Sequence, residues 1–252
     1  MEIFRIGADL TNIHTIQFPL DTEGYIVDQR NKYYTSINGI LYQKLFDNEL
    51  RLIRIAPKMS GTITLPDNVS QIVISDGVPI SNCTKIVGSG VRIIDEFSFS
   101  NNLIEAICFP NVQRIKYQAF SGCRIKQLSI LHNVAIDAQA FSHCKNMQRL
   151  DDTPIISNRH QIYDIHIYGS AFESCISLQT IKLTNAKKVT LGNFSFKNCV
   201  SLQSLTIKNI NRIPAYAFQG CPNIKKIIIP KNCIVDEKAF EPLVKPNIEY
   251  IE

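Results

Sequence analysis

Seven phenylalanines, Phe99, Phe120, Phe141, Phe172, Phe196, Phe218 and Phe240, each follow an Ala or a Ser, at steps of 21, 21, 31, 24, 22 and 22 residues. Five residues before each Phe stands an aliphatic residue: Ile94, Ile115, Ile136, Ile167, Leu191, Ile213 and Val235. Three residues after five of them stands a cysteine: Cys123, Cys144, Cys175, Cys199 and Cys221. A sandwich or barrel of evenly spaced strands does not require one residue type to return at one place in every unit. A stack of equivalent coils does.

Downstream of each Phe runs a pattern L-x-x-I-x-L: Leu178, Ile181 and Leu183, then Leu202, Leu205 and Ile207, then Ile224, Ile227 and Ile229. The units after Phe99 and Phe120 are one residue shorter and give Ile104, Ile107 and Phe109, then Ile125, Leu128 and Ile130. A period of 20–29 residues carrying this alternation reads as a leucine-rich repeat, with one short strand per unit whose alternate residues point inward. One unit cannot bury its apolar side alone, so stacked units share one core and pair their strands into a long parallel sheet. The expected fold is a β-rich solenoid with short helical or irregular turns on the other face. The five repeated cysteines fall in one column beside core positions, where a free thiol behaves as a small buried hydrophobe. Equal rungs offer no unique disulfide pair, and no C-x-x-C or metal-spaced Cys/His set occurs.

The unit I-x-x-x-A-F-x-x-C-x-x-L-x-x-I-x-I-P, with strand-ending Pro110 and Pro230, resembles the BspA-like leucine-rich-repeat family, the treponemal or type 5 repeat class. The N-terminal third is similar to that family's module too. It begins with a repeat strand (Ile13, Ile16, Phe18, Pro19) and continues into Y-x-S-I-x-G-x-L-Y, here Tyr34, Ser36, Ile37, Gly39, Leu41 and Tyr42. "LRLIRIAPKMSGTITLPDNVSQI" matches the second hairpin strand and the return to a coil. The resemblance implies a right-handed leucine-rich-repeat superhelix with an N-terminal β-hairpin module. It implies a surface antigen or adhesin that binds a host or extracellular protein, with no enzymatic activity and no cofactor. Residues 1–95 are read as degenerate repeats with the hairpin module. Residues 96–252 are read as tandem repeats of about 21–24 residues with one long unit at 141–172. Residues 71–92 lack the A-F-x-x-C core.

The formal net charge is +5, from 27 Lys and Arg against 22 Asp and Glu, and only Lys187-Lys188 and Lys225-Lys226 form tight cationic pairs. That is too sparse for a nucleic-acid stripe. No apolar run approaches the roughly 18 residues of a membrane span, and the first residues lack a secretory pattern. Localisation therefore stands between the cell surface, as the resemblance implies, and the cytoplasm. No Gly-rich phosphate loop and no G-x-S-x-G occurs.

Outward strand residues define where a partner would dock. One column is Ala106, Gln127, Arg149, Thr180, Ser204 and Lys226. The next is Cys108, Ser129, Asp151, Lys182, Thr206 and Ile228, followed by Leu131, Thr184 and Lys208. Binding at such a face concentrates in a few anchors, and Arg149, Asp151, Lys182, Thr206 and Lys226 are the candidates. The long unit adds "DDTPIISNRHQIYDIHIYG", a candidate specificity loop or a tolerated insertion. Its His160, Asp164 and His166 suggest a metal site, but "YDIHIY" alternates as a strand with Ile165 and Ile167 inward, so no metal is expected. Two functions compete: an adhesin-like module at a cell surface, and an intracellular interaction scaffold of the same fold. The final strand, near Ile248 and Ile251, leaves self-association and a longer repeat array as alternatives.

Overall fold

The computed structural model describes residues 2–74, 82–130, 132–152, 162–242, 244 and 246–252. The chain opens with β1 (Ile3–Ile6), β2 (Gly24–Val27), β3 (Tyr34–Ile37), β4 (Ile40–Lys44) and β5 (Leu50–Arg54). Two strands per coil then follow: β6 (Ser60–Thr64) and β7 (Val69–Ile72), β8 (Asn82–Val87) and β9 (Ile93–Ile94), β10 (Ala106–Cys108) and β11 (Arg114–Ile115). The tandem units continue as β12 (Gln127–Ser129) and β13 (Val134–Ile136), β14 (Arg149–Asp151) and β15 (Asp164–Ile167), β16 (Thr180–Leu183) and β17 (Lys188–Leu191). They end with β18 (Ser204–Ile207) and β19 (Arg212–Ile213), β20 (Lys226–Pro230) and β21 (Ile234–Val235), and β22 (Asn247–Ile251).

The first strand of each tandem coil pairs in parallel with its equivalents in the order β12-β14-β16-β18-β20-β22. This is the expected leucine-rich-repeat sheet. The other side is more regular than a set of turns. Strands β5, β7, β9, β11, β13, β15 and β17 pair in parallel within a nine-stranded sheet, and β19 pairs with β21. The aliphatic residue five before each Phe is the inward residue of this second sheet. Ile94, Ile115, Ile136, Ile167 and Ile213 are all 2% exposed or less.

The A-F-x-x-C segment is the arc that closes each coil. Its Phe rings stack from Phe99 to Phe240 with centroids 5.2–5.5 Å apart and interplanar angles of 2–17°. The preceding Ala or Ser is buried completely or almost so in every unit, which leaves no room for a larger side chain. Two left-handed residues bracket most of the Phe positions. Gln118 (φ 50°) and Gly122 (φ 74°) flank Phe120, and Ser170 (φ 56°) and Ser174 (φ 60°) flank Phe172. The arc thereby turns alternate amides toward the following coil, as in Phe120 N–H to Ala140 O and Gly122 N–H to Ser142 O, both 2.8 Å. Strand amides instead alternate between the two neighbouring coils, as in Ala135 N–H to Gln113 O of the preceding coil at 2.9 Å and Val189 N–H to Asn209 O of the following one at 2.8 Å.

At the N-terminal end, β3 and β4 form the expected hairpin. Its turn residues Asn38 (φ 51°) and Gly39 (φ 76°) match the two-residue turn that Asn-Gly favours. β4 pairs antiparallel with β5, which passes the ladder to the parallel sheet. The expected repeat strand at Ile13–Pro19 is not formed. Ile13–Thr15 is a short 3-10 turn, and β1 and β2 pair parallel with each other instead. Ile16 and Phe18 still pack on a small second core around Ile6, Tyr25, Tyr34 and Leu41. Their alternation reflects burial without a ladder partner. Within the degenerate coil, residues 75–81 lie outside the described residues.

Candidate functional site

Register fixes the outward columns. Gln127, Arg149, Thr180, Ser204, Lys226 and Asn247 are successive partners across the six-stranded sheet. Ser129, Asp151, Lys182, Thr206, Ile228 and Glu249 form the second column. Between them runs the inward column Leu128, Leu150, Ile181, Leu205 and Ile227, buried because side chains alternate across a strand. The five candidate anchors thus share one face, Arg149 and Lys226 in one column and Asp151, Lys182 and Thr206 in the other.

Their surroundings differ. Asp151 is 2% exposed, which corrects the expectation of an open side chain. Arg149 Nε lies 2.6 Å from its Oδ2, and Ser129 Oγ donates to its Oδ1 at 3.0 Å. A carboxylate so occupied orients Arg149 rather than meeting a partner itself. Lys226 pairs with Glu249 at 2.9 Å. Lys182 is exposed and Thr206, its neighbour one coil on, is half-buried. Lys182 has no ion-pair partner among the described residues. Leu131, placed by the sequence in a third column, lies outside the described residues.

The column does not continue to Cys108. β10 belongs to a separate three-stranded sheet, in the order β10-β8-β6, so the open face is interrupted between β10 and β12. A cleft of about 410 Å³ lies there, with Ile107, Phe109, Val112 and Leu128 in its walls and Ile115 and Ile136 of the opposite sheet at its floor. Ile107, whose counterparts Leu150, Ile181, Leu205 and Ile227 are buried, is half-exposed at this break. Sequence reasoning placed these residues in the repeat but missed the split. The signal available was length, since β10 and β12 belong to the two short units.

Residues 153–161, including His160, lie outside the described residues. Asp164 and His166 sit on β15 with Ile165 and Ile167 buried, as the alternation requires. His166 Nδ1 is 2.7 Å from Thr190 Oγ1. No group of three metal-ligating side chains occurs among the described residues, and no helix among them is long and apolar enough to cross a membrane.

Six copies of the BspA type leucine-rich repeat region match residues 60–148 and 156–251. The chain belongs to this family. Its coils, its paired columns and its arcs are those of a BspA-type repeat array, an architecture of interaction modules. A leucine-rich repeat protein from Eubacterium ventriosum is 20% identical, with a TM-score of 0.64. That likeness covers 95% of this BspA-type chain but 58% of the Eubacterium protein, and it is a likeness of fold. A leucine-rich cell surface protein from Faecalibacterium prausnitzii is 17% identical over 82% of this chain and 85% of its own, with a TM-score of 0.33. The pneumococcal vaccine antigen PcpA is 12% identical over 82% and 91%, with a TM-score of 0.42. No protein of curated function matches the chain.

Proposed function

We propose that this BspA-type module acts as a non-enzymatic adhesin or surface antigen that holds another protein, host or extracellular, against its six-stranded sheet. The carrying observation is the unbroken register from β12 to β22. It presents two outward columns at the strand spacing of about 4.8 Å over six coils. Family membership supports a binding role, and the surface location comes from the family resemblance. On this reading Arg149, held by Asp151, and Lys182, Thr206 and Lys226 are the anchors, since a few central residues dominate such contacts.

A photo-crosslinking amino acid placed at Thr206, and separately at Thr190 on the opposite sheet, tests the face. Adducts with one partner from Thr206 alone are expected. Adducts from Thr190 alone would move the site to the other sheet. An impermeant amine label applied to intact source cells tests the location, with a cytosolic protein as control.

A second reading, an intracellular scaffold of the same fold, is favoured by one observation. All eight cysteines are free thiols, the usual state in a reducing compartment. Absence of labelling on intact cells, with the protein in the soluble fraction, would select it.

A further inference from the structure

Residues 174–235 contain eight Lys, one Arg and no Asp or Glu, a net of +9 in a chain whose total is +5. Stacking concentrates this charge, because those residues form three successive coils, those of β16 to β21. Four of the nine cations are answered by acids beyond the segment: Lys197 by Glu173, Arg212 by Asp236, Lys226 by Glu249 and Lys231 by Glu252. Lys182, Lys187, Lys188, Lys208 and Lys225 have no ion-pair partner among the described residues, and all five are exposed.

Three of them share one depression. Lys187, Lys188 and Lys208 line a groove of about 420 Å³ at the corner where the six-stranded sheet turns toward the second sheet. Asn209, Asn211 and Asn232 also line it. Ile210 and Pro230, together with Asp164 and Glu252 from the coils flanking the patch, complete the lining. Lys182 and Lys225 stand on the adjoining sheet side, in or beside β16 and β20.

We infer that this corner groove binds an acidic peptide segment of a protein partner, with Lys187, Lys188 and Lys208 as its cationic contacts. The inference rests on the protein-binding reading above and names the chemistry of the partner. Charge complementarity favours an anion. The bounds of the patch favour a short one: three coils, two steps of about 4.8 Å, span about 10 Å, the reach of some three extended residues. A longer polyanion would meet Asp164 and Glu252, which line the groove from the flanking coils, and Asp236 and Glu249 beyond it. The groove has no aromatic ring among its lining residues on which bases or sugars could stack. Its three amides, Asn209 and Asn211 on one coil and Asn232 on the next, suit a peptide backbone, which offers both donors and acceptors.

The test uses the purified full chain and a fluorescein-labelled hexaglutamate peptide, followed by fluorescence anisotropy in low and high salt. Saturable binding that weakens with salt is expected, as for exposed charges. The variant K187E/K188E/K208E should lose about tenfold or more in affinity, three surface contacts being reversed at once. R124E/K145E, which alters exposed cations on another part of the arc, should bind as the parent does. Matching thermal melts of both variants would exclude unfolding as the cause. No binding by the parent, equal loss in both variants, or much tighter binding of a heparin or single-stranded DNA oligomer of the same charge would overturn the proposal. Because the peptide is added directly, such a failure leaves the sheet-face crosslinking result standing on its own.

Discussion

Cys175 Sγ donates to the carbonyl oxygen of Phe141, one coil back, at 3.2 Å. The contact recurs at every rung: Cys123 to Phe99, Cys144 to Phe120, Cys199 to Phe172 and Cys221 to Phe196, all at 2.9–3.3 Å. The left-handed arc explains why. It turns the Ala and Ser carbonyls toward the amides of the preceding coil, while the Phe carbonyl faces inward and accepts only the amide of the Cys three residues on, as in Cys144 N–H to Phe141 O at 3.3 Å. The thiol supplies a second donor to a buried acceptor. The residue thus fills space and satisfies a carbonyl. Five ladder thiols that are completely or almost completely buried should ignore a water-soluble disulfide reagent in the native protein. Exposed Cys108 should react, and all eight thiols should titrate after denaturation. Fast reaction of three or more native thiols would contradict the buried ladder.

The same burial sets an alkaline limit. Desolvation pushes the thiols of Cys123 and Cys175 up to about 12, and raises those of Cys144 and Cys199 well above the ordinary value. A thiol that ionises near 8.5 when unfolded stays protonated in the coil. Above that pH the folded state binds more protons than the unfolded one, so stability falls as pH rises. The contribution is complete below about pH 8.5 and is lost progressively as pH rises towards the raised folded-state values. Urea midpoints should be level from pH 7 to 8 and drop steeply by pH 10. Buried Tyr42, raised by desolvation, adds to the loss only at higher pH. A level midpoint from pH 8 to 10 would show that the thiols ionise freely in the fold.

Phe172 lies between Phe141 and Phe196, each 5.3 Å away ring to ring, and is completely buried. Phe240 has one such neighbour, Phe218, and is only partly buried. Phe172→Ala should cost about 3–5 kcal/mol, and Phe240→Ala well under half of that. In a stack where each coil holds its neighbours, the central loss also weakens both interfaces. Urea melts of the two variants measure the contrast, and equal costs would mean the stack has no centre.

Repetition made the coil legible. Phe, Cys and the two aliphatic positions each answer to one place in every unit, so alignment of the chain with itself exposes core, columns and period. The Leu-rich strand followed from its alternation of inward and outward residues. The second sheet was hidden because pairs such as Arg114-Ile115 and Arg212-Ile213 are too short to show alternation. Asp151 reads as an outward residue by parity, which is correct, yet its burial depends on Arg149 and Ser129 from its own and the adjoining strand. The split between β10 and β12 had its one signal in the length of the two short units, and its form depends on how neighbouring coils sit. Lys187-Lys188 was visible as a tight pair and Lys208 as an isolated cation, and only stacking brings the three to one groove.

Asp152 shows what a single carboxylate does at the turn after β16. It is completely buried, and its oxygens accept the backbone amides of Thr184 at 2.8 Å, Asn185 at 2.7 Å and Ala186 at 2.8 Å. The side chain of Asn185 also donates to the Asp152 carbonyl at 2.9 Å. Asp152 therefore ties the coil that begins the long unit to the turn preceding Lys187 and Lys188. Asp152→Ala would strand three amide donors in a buried turn, and each orphaned group costs about 1–3 kcal/mol. The expected loss is about 3 kcal/mol, below a simple sum because the loosened turn would admit water. Asp152→Asn keeps an acceptor oxygen but brings an amide against those donors, and should recover only part of the loss. Hydrogen exchange at Thr184, Asn185 and Ala186 locates the effect. Fast exchange there with the Phe arcs still protected is the expected pattern, whereas unchanged protection of the three amides in Asp152→Ala would show that the turn holds without its carboxylate.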